Sequence, residues 1–408
     1  MKPSVSVIVP TRNAGPDFPQ LLEKISTQKG SLSPEIVVVD SDSTDGTVES
    51  ARHYGAKVIK IPPETFDHGL TRNLGIQEAR GEICVLLVQD ALPVHDHWLE
   101  ALIQHFDRDP LIAGVTTRQI PRPETDIVTR WEIAYHNKFL GDEVKVRAIS
   151  DWGTFLRLPL QERFFMCNFD DVCSALRRSV WEKHAFRAVL FAEDLDWAVR
   201  VLGAGYKIAY EPAAVVLHSH IRPASYHMRR QYVSAKVVPG FLQCPIPGLF
   251  ATSDEGFFAA VNFLMQEAFS LLLLVNQLDG CIPPAVWREW VKFVERHGVD
   301  TARGGGQSLW ELAYIWARRF GRWLPLPEQF KSPLRARLTS VRHNPMRTHF
   351  YFLLVAVVED VAELNAAALR HIVAHCLART LGGFLGSYCL WCEQQGKVSR
   401  ELRALDQS

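Results

Sequence analysis

The sequence predicts an α/β domain with a mainly parallel sheet, followed by a helical C-terminal region. Two observations support this class. Short β-branched runs alternate with segments of helical period in the first half of the chain, which is the pattern of βαβ units. Beyond about residue 240 the strand pattern stops, and apolar residues recur with helical spacing. We therefore expect one domain over residues 1–240 and a helical region over residues 241–408.

The first ninety residues are expected to supply four strands, each a short run rich in valine and isoleucine: residues 5–9, 36–39, 57–61 and 83–88. The second and fourth runs are apolar almost throughout, which indicates burial on both faces of the sheet. Apolar spacing and terminal glycines predict helices at residues 17–29, 44–53 and 70–79. Later segments predict strands at residues 172–176, 207–210 and 214–217, and a helix at residues 194–202.

Composition sets limits on the class of protein. With 408 residues, 47% of them hydrophobic and 22% charged, the chain is long enough for two or three globular cores. Lys and Arg total 45, as do Asp and Glu, so no global basic field favours nucleic acid as a partner. The N-terminus enters a strand pattern directly, which argues against a signal peptide.

The eight cysteines are scattered without the spacing of a disulfide framework, so a reduced, cytoplasmic setting is expected. Cys389 and Cys392 form a Cys-x-x-Cys in apolar surroundings, which is typical of one helix face. The most apolar stretch, residues 256–278, is divided by Glu267 into two charge-free runs of eleven residues. Since a bilayer needs roughly 18 apolar residues, we expect a buried amphipathic helix there and no transmembrane helix.

The segment from Arg303 to Arg347 carries nine basic residues against two acidic ones, interleaved with Trp310, Trp316 and Trp323. Such a segment can rest on anionic lipid and meet a lipid-linked saccharide. It also fits a solvated charged face around core tryptophans. Both interpretations stay open, so peripheral contact with a membrane is one of two expectations.

Ligands of open α/β sheets bind beyond the carboxyl ends of the strands. The polar groups at those positions here are residues 10–13, residues 40–43, the residues from 62 onward, and Gln89-Asp90. Asp90 is a lone carboxylate where a buried strand meets solvent, which suits Mg²⁺ or Mn²⁺. The glycine-rich dinucleotide fingerprint and the P-loop motif are both missing from the sequence, which disfavours dehydrogenases and P-loop kinases.

Several strings, taken together and in order, resemble the inverting family 2 glycosyltransferases of the nucleotide-sugar-binding type A fold: Val7-Ile8-Val9-Pro10-Thr11-Arg12-Asn13, Val38-Val39-Asp40-Ser41-Asp42-Ser43-Thr44-Asp45-Gly46-Thr47 and Glu193-Asp194-Leu195-Asp196-Trp197. Three further strings resemble bacterial rhamnosyltransferases within that family: Phe66-Asp67-His68-Gly69-Leu70-Thr71-Arg72-Asn73, Gln89-Asp90-Ala91-Leu92-Pro93 and Val216-Leu217-His218-Ser219-His220. The resemblance spans roughly residues 4–235.

The resemblance implies a metal-dependent enzyme that moves a sugar with inversion onto a saccharide or lipid-linked saccharide. Rhamnose from dTDP-rhamnose is the expected donor, and assembly of bacterial surface polysaccharide is the expected setting. The enzyme would work in the cytoplasm or on the inner face of the cytoplasmic membrane. Two alternatives stay open. One is another donor such as a UDP-hexosamine, and the other is a non-catalytic glycan-binding scaffold, which the single Asp90 in place of Asp-x-Asp motivates.

The resemblance also implies residue roles. Nucleotide-sugar contacts are expected from Pro10, Thr11, Asn13, Asp40, Ser41, Arg72, Asn73, Gln89 and Asp90. Asp194 is expected to deprotonate the acceptor hydroxyl, with Asp196 as the competing carboxylate, and Glu193 and Trp197 to contact the acceptor. The cation, Mg²⁺ or Mn²⁺, is expected on Asp90 together with His218 or His220, of which we favour His218.

Several of these positions also have a simpler interpretation. The string from Asp40 to Thr47 suits a turn and a helix N-cap, and an isolated Arg72 suits a solvated surface. Carboxylates at a helix N-terminus are favourable merely through the helix dipole. A large aromatic residue such as Trp197 is more often part of a core, and a histidine at a strand end is often simply hydrogen-bonded.

Overall fold

The structure, a computed structural model, describes residues 4–29, 33–244, 254–279, 287–297 and 344–397. The chain divides into two compact units. The first comprises Met1–Thr125, Glu132–Ile221 and Val237–Pro245, and the second Asp126–Trp131, Arg222–Lys236 and Ile246–Ser408. Each unit has its own hydrophobic core.

A nine-stranded sheet forms the centre of the first unit. Its strands are β1 (Val5–Thr11), β2 (Glu35–Asp40), β3 (Lys57–Lys60), β4 (Ile83–Leu87), β5 (Leu92–Pro93), β6 (Ile112–Ile120), β7 (Lys145–Ala148), β8 (Cys173–Arg177) and β9 (Lys207–Leu217). Their order is β3-β2-β1-β4-β8-β6-β9-β5, and β7 pairs with β9. The strands β1 to β4 are parallel to one another, as predicted.

Strand β8 is antiparallel to both of its neighbours, β4 and β6. Strand β6 therefore runs in the direction of the first four strands, and β9 is parallel to β6. Six of the nine described strands thus share one direction, which confirms the mainly parallel sheet. The carboxyl ends of β1, β2, β4, β6 and β9 consequently meet at one edge, together with the amino end of the reversed strand β8.

Both faces of this sheet are buried, as the apolar runs predict. Val7 and Val9 belong to the core on one face, and Ile8 between them belongs to the core on the other. The two predicted strands at residues 207–210 and 214–217 are one strand, β9. Its register against β6 shifts between Glu211 and Val215, because Pro212 lacks the N–H that a continuous ladder requires.

Helices cover the sheet and make up the described part of the second unit. In chain order they are α1 (Phe18–Ser26), α2 (Thr47–His53), α3 (His68–Glu78), α4 (Trp98–Arg108), α5 (Ile127–Leu140), α6 (Trp152–Arg157), α7 (Leu160–Cys167), α8 (Arg178–Trp181), α9 (Glu193–Gly203), α10 (Ala224–Phe241), α11 (Asp254–Leu278), α12 (Trp287–His297), α13 (Pro345–Asp360) and α14 (Ala366–Gln394). The five helices that the sequence predicts correspond to α1, α2, α3, α9 and α11. A short 3₁₀ helix, Pro63–Thr65, precedes α3.

Helix α11 contains the apolar stretch that Glu267 divides. Glu267 is fully buried, and its carboxylate accepts hydrogen bonds from Arg347 at 2.9 Å and from the Tyr351 hydroxyl at 3.1 Å. By length and composition Gly256–Asn276 is apolar enough to cross a membrane, with a mean hydropathy of 1.8 and 33% of it buried. A core helix of a soluble protein passes the same test. The basic segment after Arg303 lies outside the described residues as far as residue 343.

Candidate active site

The loops that follow β1 and β2 are joined through Asp40. This carboxylate is fully buried. Its Oδ2 accepts from the Thr11 hydroxyl at 2.8 Å and from the Ser43 hydroxyl at 2.5 Å, and its Oδ1 accepts from the Ser43 backbone N–H at 3.0 Å. Asp40 and Thr11 therefore hold the two loops together, and neither presents an exposed polar group to a nucleotide as the sequence interpretation expects.

Asn13 lies at the exposed surface of the same pair of loops. Its side-chain oxygen accepts from the Thr44 N–H at 2.8 Å, and its own N–H donates to the Ser43 hydroxyl at 2.8 Å. Asn13 and Asp42 have left-handed backbones, with φ of 46° and 60°. Such conformations are uncommon outside glycine, although asparagine and aspartate tolerate them best, and they cluster at ligand sites. Ser41 beside them is buried, and its hydroxyl has no hydrogen-bond partner among the described residues.

Gln89 fixes the loop after β1 to the end of β4. Its side-chain oxygen accepts from the Arg12 N–H at 2.8 Å, and its amide nitrogen donates to the Arg12 carbonyl at 3.2 Å. The amide is therefore engaged with the backbone, and the next residue, Asp90, is the one whose side chain is presented at this edge. Pro10, one residue before the loop, is half-buried at the end of β1.

Asp90, His218 and His220 converge. The Nε2 atom of His218 lies 3.8 Å from Asp90 Oδ1, and the Nε2 atom of His220 lies 3.3 Å from Asp90 Oδ2. One ligand atom from each residue falls within 4.8 Å of the other two. Carboxylate oxygen combined with imidazole nitrogen fits a divalent cation, and the two imidazoles favour Mn²⁺ over Mg²⁺. The structure thus brings both candidate histidines to Asp90, where the sequence interpretation had to choose one.

The Gln119 side chain orients His218. Its amide nitrogen donates to Asp170 Oδ2 at 2.5 Å, which turns its oxygen toward His218 Nδ1 at 3.0 Å. Because that oxygen only accepts, Nδ1 of His218 carries the proton and Nε2 keeps its lone pair. Burial also lowers the pKa of His218, which favours the neutral imidazole that a metal requires.

Two consecutive carboxylates before β8 connect this cluster to the predicted base. Asp170 receives the Gln119 amide, and the backbone N–H of Asp171 points at Asp194 Oδ2, 3.4 Å away. The reversed direction of β8 brings this pair to the same edge as the strand ends. The sequence interpretation missed Asp170 and Asp171 because it considered only positions after strands, although paired carboxylates ahead of the predicted strand at residues 172–176 are a readable signal.

Asp194 lies in the first turn of α9. The helix begins after Ala192, whose backbone is left-handed at φ 59° and ψ 49°. Burial raises the pKa of Asp194 well above its usual range, and the negative charges of Glu193, Asp171 and Asp170 raise it further. A carboxylate with a raised pKa is a stronger base. The competing carboxylate, Asp196, is instead paired with Arg200 at 2.8 Å.

Arg72 lies in a different place from the one expected. Its side chain is 5% exposed, and it lies 2.8 Å from Glu193 Oε1 and 3.8 Å from Asp171 Oδ2. It also donates to the His68 carbonyl at 2.9 Å. The guanidinium therefore compensates two carboxylates beside Asp194 and is not displayed toward a diphosphate. Glu193, expected to contact the acceptor, has its Oε1 engaged by the same ion pair.

Asn73 and Trp197 are also parts of the scaffold. The Asn73 oxygen accepts from Trp181 Nε1 at 2.7 Å and from the Phe186 N–H at 3.1 Å, and its nitrogen donates to the Phe186 carbonyl at 2.9 Å. Trp197 is fully buried, with its ring packed near those of Phe169 and Phe186. Asn73 thus holds the loop around Phe186, and Trp197 fills the core and does not line an open sugar-binding cleft.

The chain is similar in sequence to known glycosyltransferases. Residues 6–184 match glycosyl transferase family 2. The O-antigen chain rhamnosyltransferase RfbN of Salmonella typhimurium is 32% identical over 221 residues, which are 53% of this chain and 66% of that protein. WbaN of Salmonella anatum, also an O-antigen chain rhamnosyltransferase, is 33% identical over 225 residues, 53% of this chain and 67% of WbaN. Glycosyltransferase AglE of Haloferax volcanii is 36% identical over 239 residues, 56% of this chain and 71% of AglE.

The chain spans about two thirds of the length of the first two relatives. Among solved structures, mannosyltransferase PcManGT from Pyrobaculum calidifontis, in complex with GDP-Man and Mn²⁺, is 22% identical with a TM-score of 0.42, covering 58% of this chain and 63% of that one. The family assignment rests on the sequence relatives and on the topology of the described sheet. The first unit has the type A glycosyltransferase fold, and the chain belongs to glycosyltransferase family 2.

Proposed function

We propose that this chain is a metal-dependent, inverting glycosyltransferase that moves rhamnose from dTDP-rhamnose onto a saccharide acceptor during assembly of a bacterial surface polysaccharide. The proposal rests mainly on one observation, which is that a potential metal site and a potential base lie at the same edge of the sheet. Asp90 with its two histidines forms the first of these, and Asp194 is the second. The names of the two Salmonella relatives, which match 53% of this chain, support rhamnose as the sugar.

The donor diphosphate is proposed to lie beside Asp90, His218 and His220. A divalent cation held there supplies positive charge that neutralises the departing nucleoside diphosphate. The two imidazoles support Mn²⁺ as the better cation and Mg²⁺ as the weaker one. The nucleotide itself is proposed to lie on the loops after β1 and β2, beside Pro10 and Asn13 and over the buried Ser41, whose hydroxyl has no hydrogen-bond partner in the described part of the chain. The side chains of Thr11, Asp40 and Gln89 hold those loops in place through hydrogen bonds.

Asp194 is the proposed general base. It accepts the proton of the acceptor hydroxyl while that oxygen attacks the anomeric carbon, and the bond to the diphosphate oxygen breaks in the same displacement. One displacement inverts the anomeric configuration and needs no enzyme nucleophile. General-base assistance of this kind contributes roughly 10²- to 10⁴-fold in rate. Arg72, Glu193 and Asp171 set the charge around the base and do not contact the sugar.

The proposal gives the two parts of the chain different tasks. Residues 1–240 form the catalytic domain, and residues 241–408 form a helical region that meets the acceptor. A lipid-linked acceptor at the inner face of the cytoplasmic membrane fits the basic, tryptophan-bearing composition between residues 303 and 347. The enzyme is accordingly proposed to work in the cytoplasm, with peripheral contact to that membrane.

A donor screen tests the proposal. The purified full chain is mixed with dTDP-rhamnose or with other UDP-, dTDP- and GDP-sugars in Mn²⁺, Mg²⁺ or EDTA, and thermal stability and slow donor hydrolysis are measured. We expect metal-dependent stabilisation by dTDP-rhamnose that exceeds that by the other donors. With an acceptor present, the NMR coupling at the new anomeric centre should report a configuration opposite to that of the donor.

Asp90→Asn should abolish the metal-dependent stabilisation. Asp96→Asn is the matched control, because Asp96 lies nearby in sequence, is 46% exposed and pairs with Lys24 and Lys29 at the surface. Stabilisation by a UDP-hexosamine would replace the donor in the proposal. Donor binding with no hydrolysis or transfer under any condition would favour a glycan-binding scaffold.

A further inference from the structure

A second cluster of metal-ligating side chains lies within the helical unit. Asp126, His371 and His375 each present one ligand atom within 4.8 Å of the other two. All three residues belong to the second unit, so the cluster is separate from Asp90, His218 and His220 of the first. Asp126 Oδ1 and His371 Nε2 are 3.0 Å apart.

The spacing of the two histidines suits a metal. His371 and His375 are four residues apart on α14, and residues at this spacing project from the same helix face. Their ring centroids are 4.1 Å apart. Two histidines at i and i+4 of one helix, with a carboxylate from a different segment, form a donor set that zinc sites use.

Asp126 is held rigidly, and it retains an unused acceptor. Its Oδ1 accepts from the backbone N–H groups of Val128 and Thr129 at 3.0 and 3.1 Å, which caps the first turn of α5. Its Oδ2 is buried and has no hydrogen-bond partner among the residues that the structure describes. A buried carboxylate oxygen without a donor costs free energy unless something else binds it.

His227, beside this cluster, has a second buried polar atom that can bind a ligand. Its ring centroid is 5.1 Å from that of His375. The residue is 7% exposed, and its Nε2 atom is buried without a hydrogen-bond partner in the described part of the chain. This buried nitrogen is therefore available to a ligand.

We propose that Asp126, His371 and His375 bind one Zn²⁺ ion, with His227 or water in the fourth position, and that this ion ties α14 to the start of α5. Tetrahedral zinc with nitrogen and oxygen ligands places neighbouring ligand atoms about 3.3 Å apart. The three ligand atoms lie within 4.8 Å of one another, which is close to that spacing. His371 is 37% exposed, which gives the ion a path from solvent. Three protein nitrogens or oxygens of this kind disfavour Mg²⁺ and Ca²⁺.

The test isolates this cluster from the first one. The full chain carrying Asp90→Asn, His218→Ala and His220→Ala is stripped with chelator and titrated with Co²⁺, whose visible absorption reports tetrahedral nitrogen and oxygen ligands, and then with Zn²⁺ in competition. We expect one equivalent to bind and the thermal midpoint to rise. Adding His371→Ala and His375→Ala should reduce the affinity by more than about 100-fold, since loss of a ligand exceeds the effect of losing a residue that merely orients one.

Two further variants distinguish the loss of a metal ligand from the loss of the folded structure. His371→Gln changes the most exposed ligand alone and should lose the Co²⁺ spectrum while circular dichroism stays unchanged. His349→Ala is the control, because His349 is an exposed histidine of the same unit whose ring lies beside that of Phe384, outside the cluster. Absence of Co²⁺ binding in the three-fold variant, or unchanged binding after loss of His371 and His375, would overturn the proposal in favour of a hydrogen-bonded histidine network.

Discussion

Gln119 Oε1 lies 3.0 Å from His218 Nδ1 at the carboxyl edge of the sheet. Asp170 holds the other end of the same amide at 2.5 Å. The orientation of the His218 ring is therefore set by a residue 99 positions away in sequence. A residue that orients a ligand in this way controls metal affinity without touching the metal.

Replacing Gln119 by Leu should weaken Mn²⁺ binding about 10- to 100-fold, because His218 loses the acceptor that fixes its tautomer. Isothermal titration of Mn²⁺ in the presence of nucleoside diphosphate measures the effect. The control is Gln104→Leu, since the Gln104 side chain on α4 bonds Arg108 at 2.7 Å and the Ala101 carbonyl at 3.1 Å within its own helix. Wild-type Mn²⁺ affinity in Gln119→Leu would show that the amide has no part in the site.

Replacing Asp194 by Asn should reduce the transfer rate by about 10²- to 10⁴-fold and leave donor-induced thermal stabilisation intact, because the amide cannot accept the acceptor proton. Asp196→Asn is the matched control on the same helix. Its partner Arg200 loses an ion pair at 2.8 Å, so we expect a lower thermal midpoint with a much smaller loss of rate. Equal rate losses in the two variants would remove Asp194 from the role of base.

The acidic limb of the pH–rate profile should lie above the ordinary carboxylate range. Burial raises the pKa of Asp194, and the charge of Glu193 is the largest electrostatic contribution to that increase. Asp194 acts when deprotonated, so kcat/KM should rise with pH until the pH exceeds this raised pKa. Glu193→Gln removes one negative charge and should move the limb to lower pH. Asp142→Asn, at an exposed carboxylate with 90% side-chain exposure, should leave the limb in place.

Removal of Arg72 should destabilise the protein. Its guanidinium is buried between Glu193 and Asp171, and breaking a buried ion pair typically costs about 3–5 kcal/mol. Arg72→Met should therefore lower the free energy of unfolding by about that amount in urea denaturation, and a second change, Asp171→Asn, should recover part of it. Arg80→Met is the control, because Arg80 is 87% exposed and such pairs contribute about 0–1 kcal/mol.

The local pattern of the sequence was sufficient for the first four strands. Each is a short β-branched run. For two of them, the continuous apolar sequence indicates burial on both faces without any knowledge of the neighbouring elements. The same pattern placed Asp90 and His218 at strand ends. Asp90 and His218 come together because β4 and β9 run in the same direction. The βαβ alternation in the sequence predicts a common direction only for neighbouring parallel strands, and β4 and β9 are not neighbours.

Strand β6 could not be found in this way. Its nine residues, IAGVTTRQI, include a glycine, two threonines and an arginine, so no apolar run marks it. Gly114 is required there because a Cβ would lie 2.8 Å from the Phe169 ring, which is a contact between distant segments. Without β6, nothing in the sequence places Gln119 beside His218.

The roles of Asn73 and Trp197 were also set by distant partners. Asn73 bonds Phe186 across 113 residues, and Trp197 packs near Phe169 and Phe186. Motif similarity marks such positions as important without saying whether they touch a ligand or hold the site together. Side-chain burial and hydrogen bonding distinguish the two cases here.

Helix α14 approaches α10 closely at two glycines spaced four residues apart. A Cβ on Gly382 would lie 2.0 Å from the Met228 carbonyl oxygen, and one on Gly386 would lie 2.1 Å from that of Tyr232. Backbone atoms cannot move aside cheaply, so Gly382→Ala and Gly386→Ala should each lower the free energy of unfolding by about 1–3 kcal/mol. Gly383 is the matched control, because a Cβ there meets no atom within 4 Å. Gly383→Ala should be neutral or stabilise by up to about 1 kcal/mol, since alanine favours the helix. Urea denaturation of the three variants measures the contrast, and equal effects at all three positions would mean that the two helices do not pack this closely.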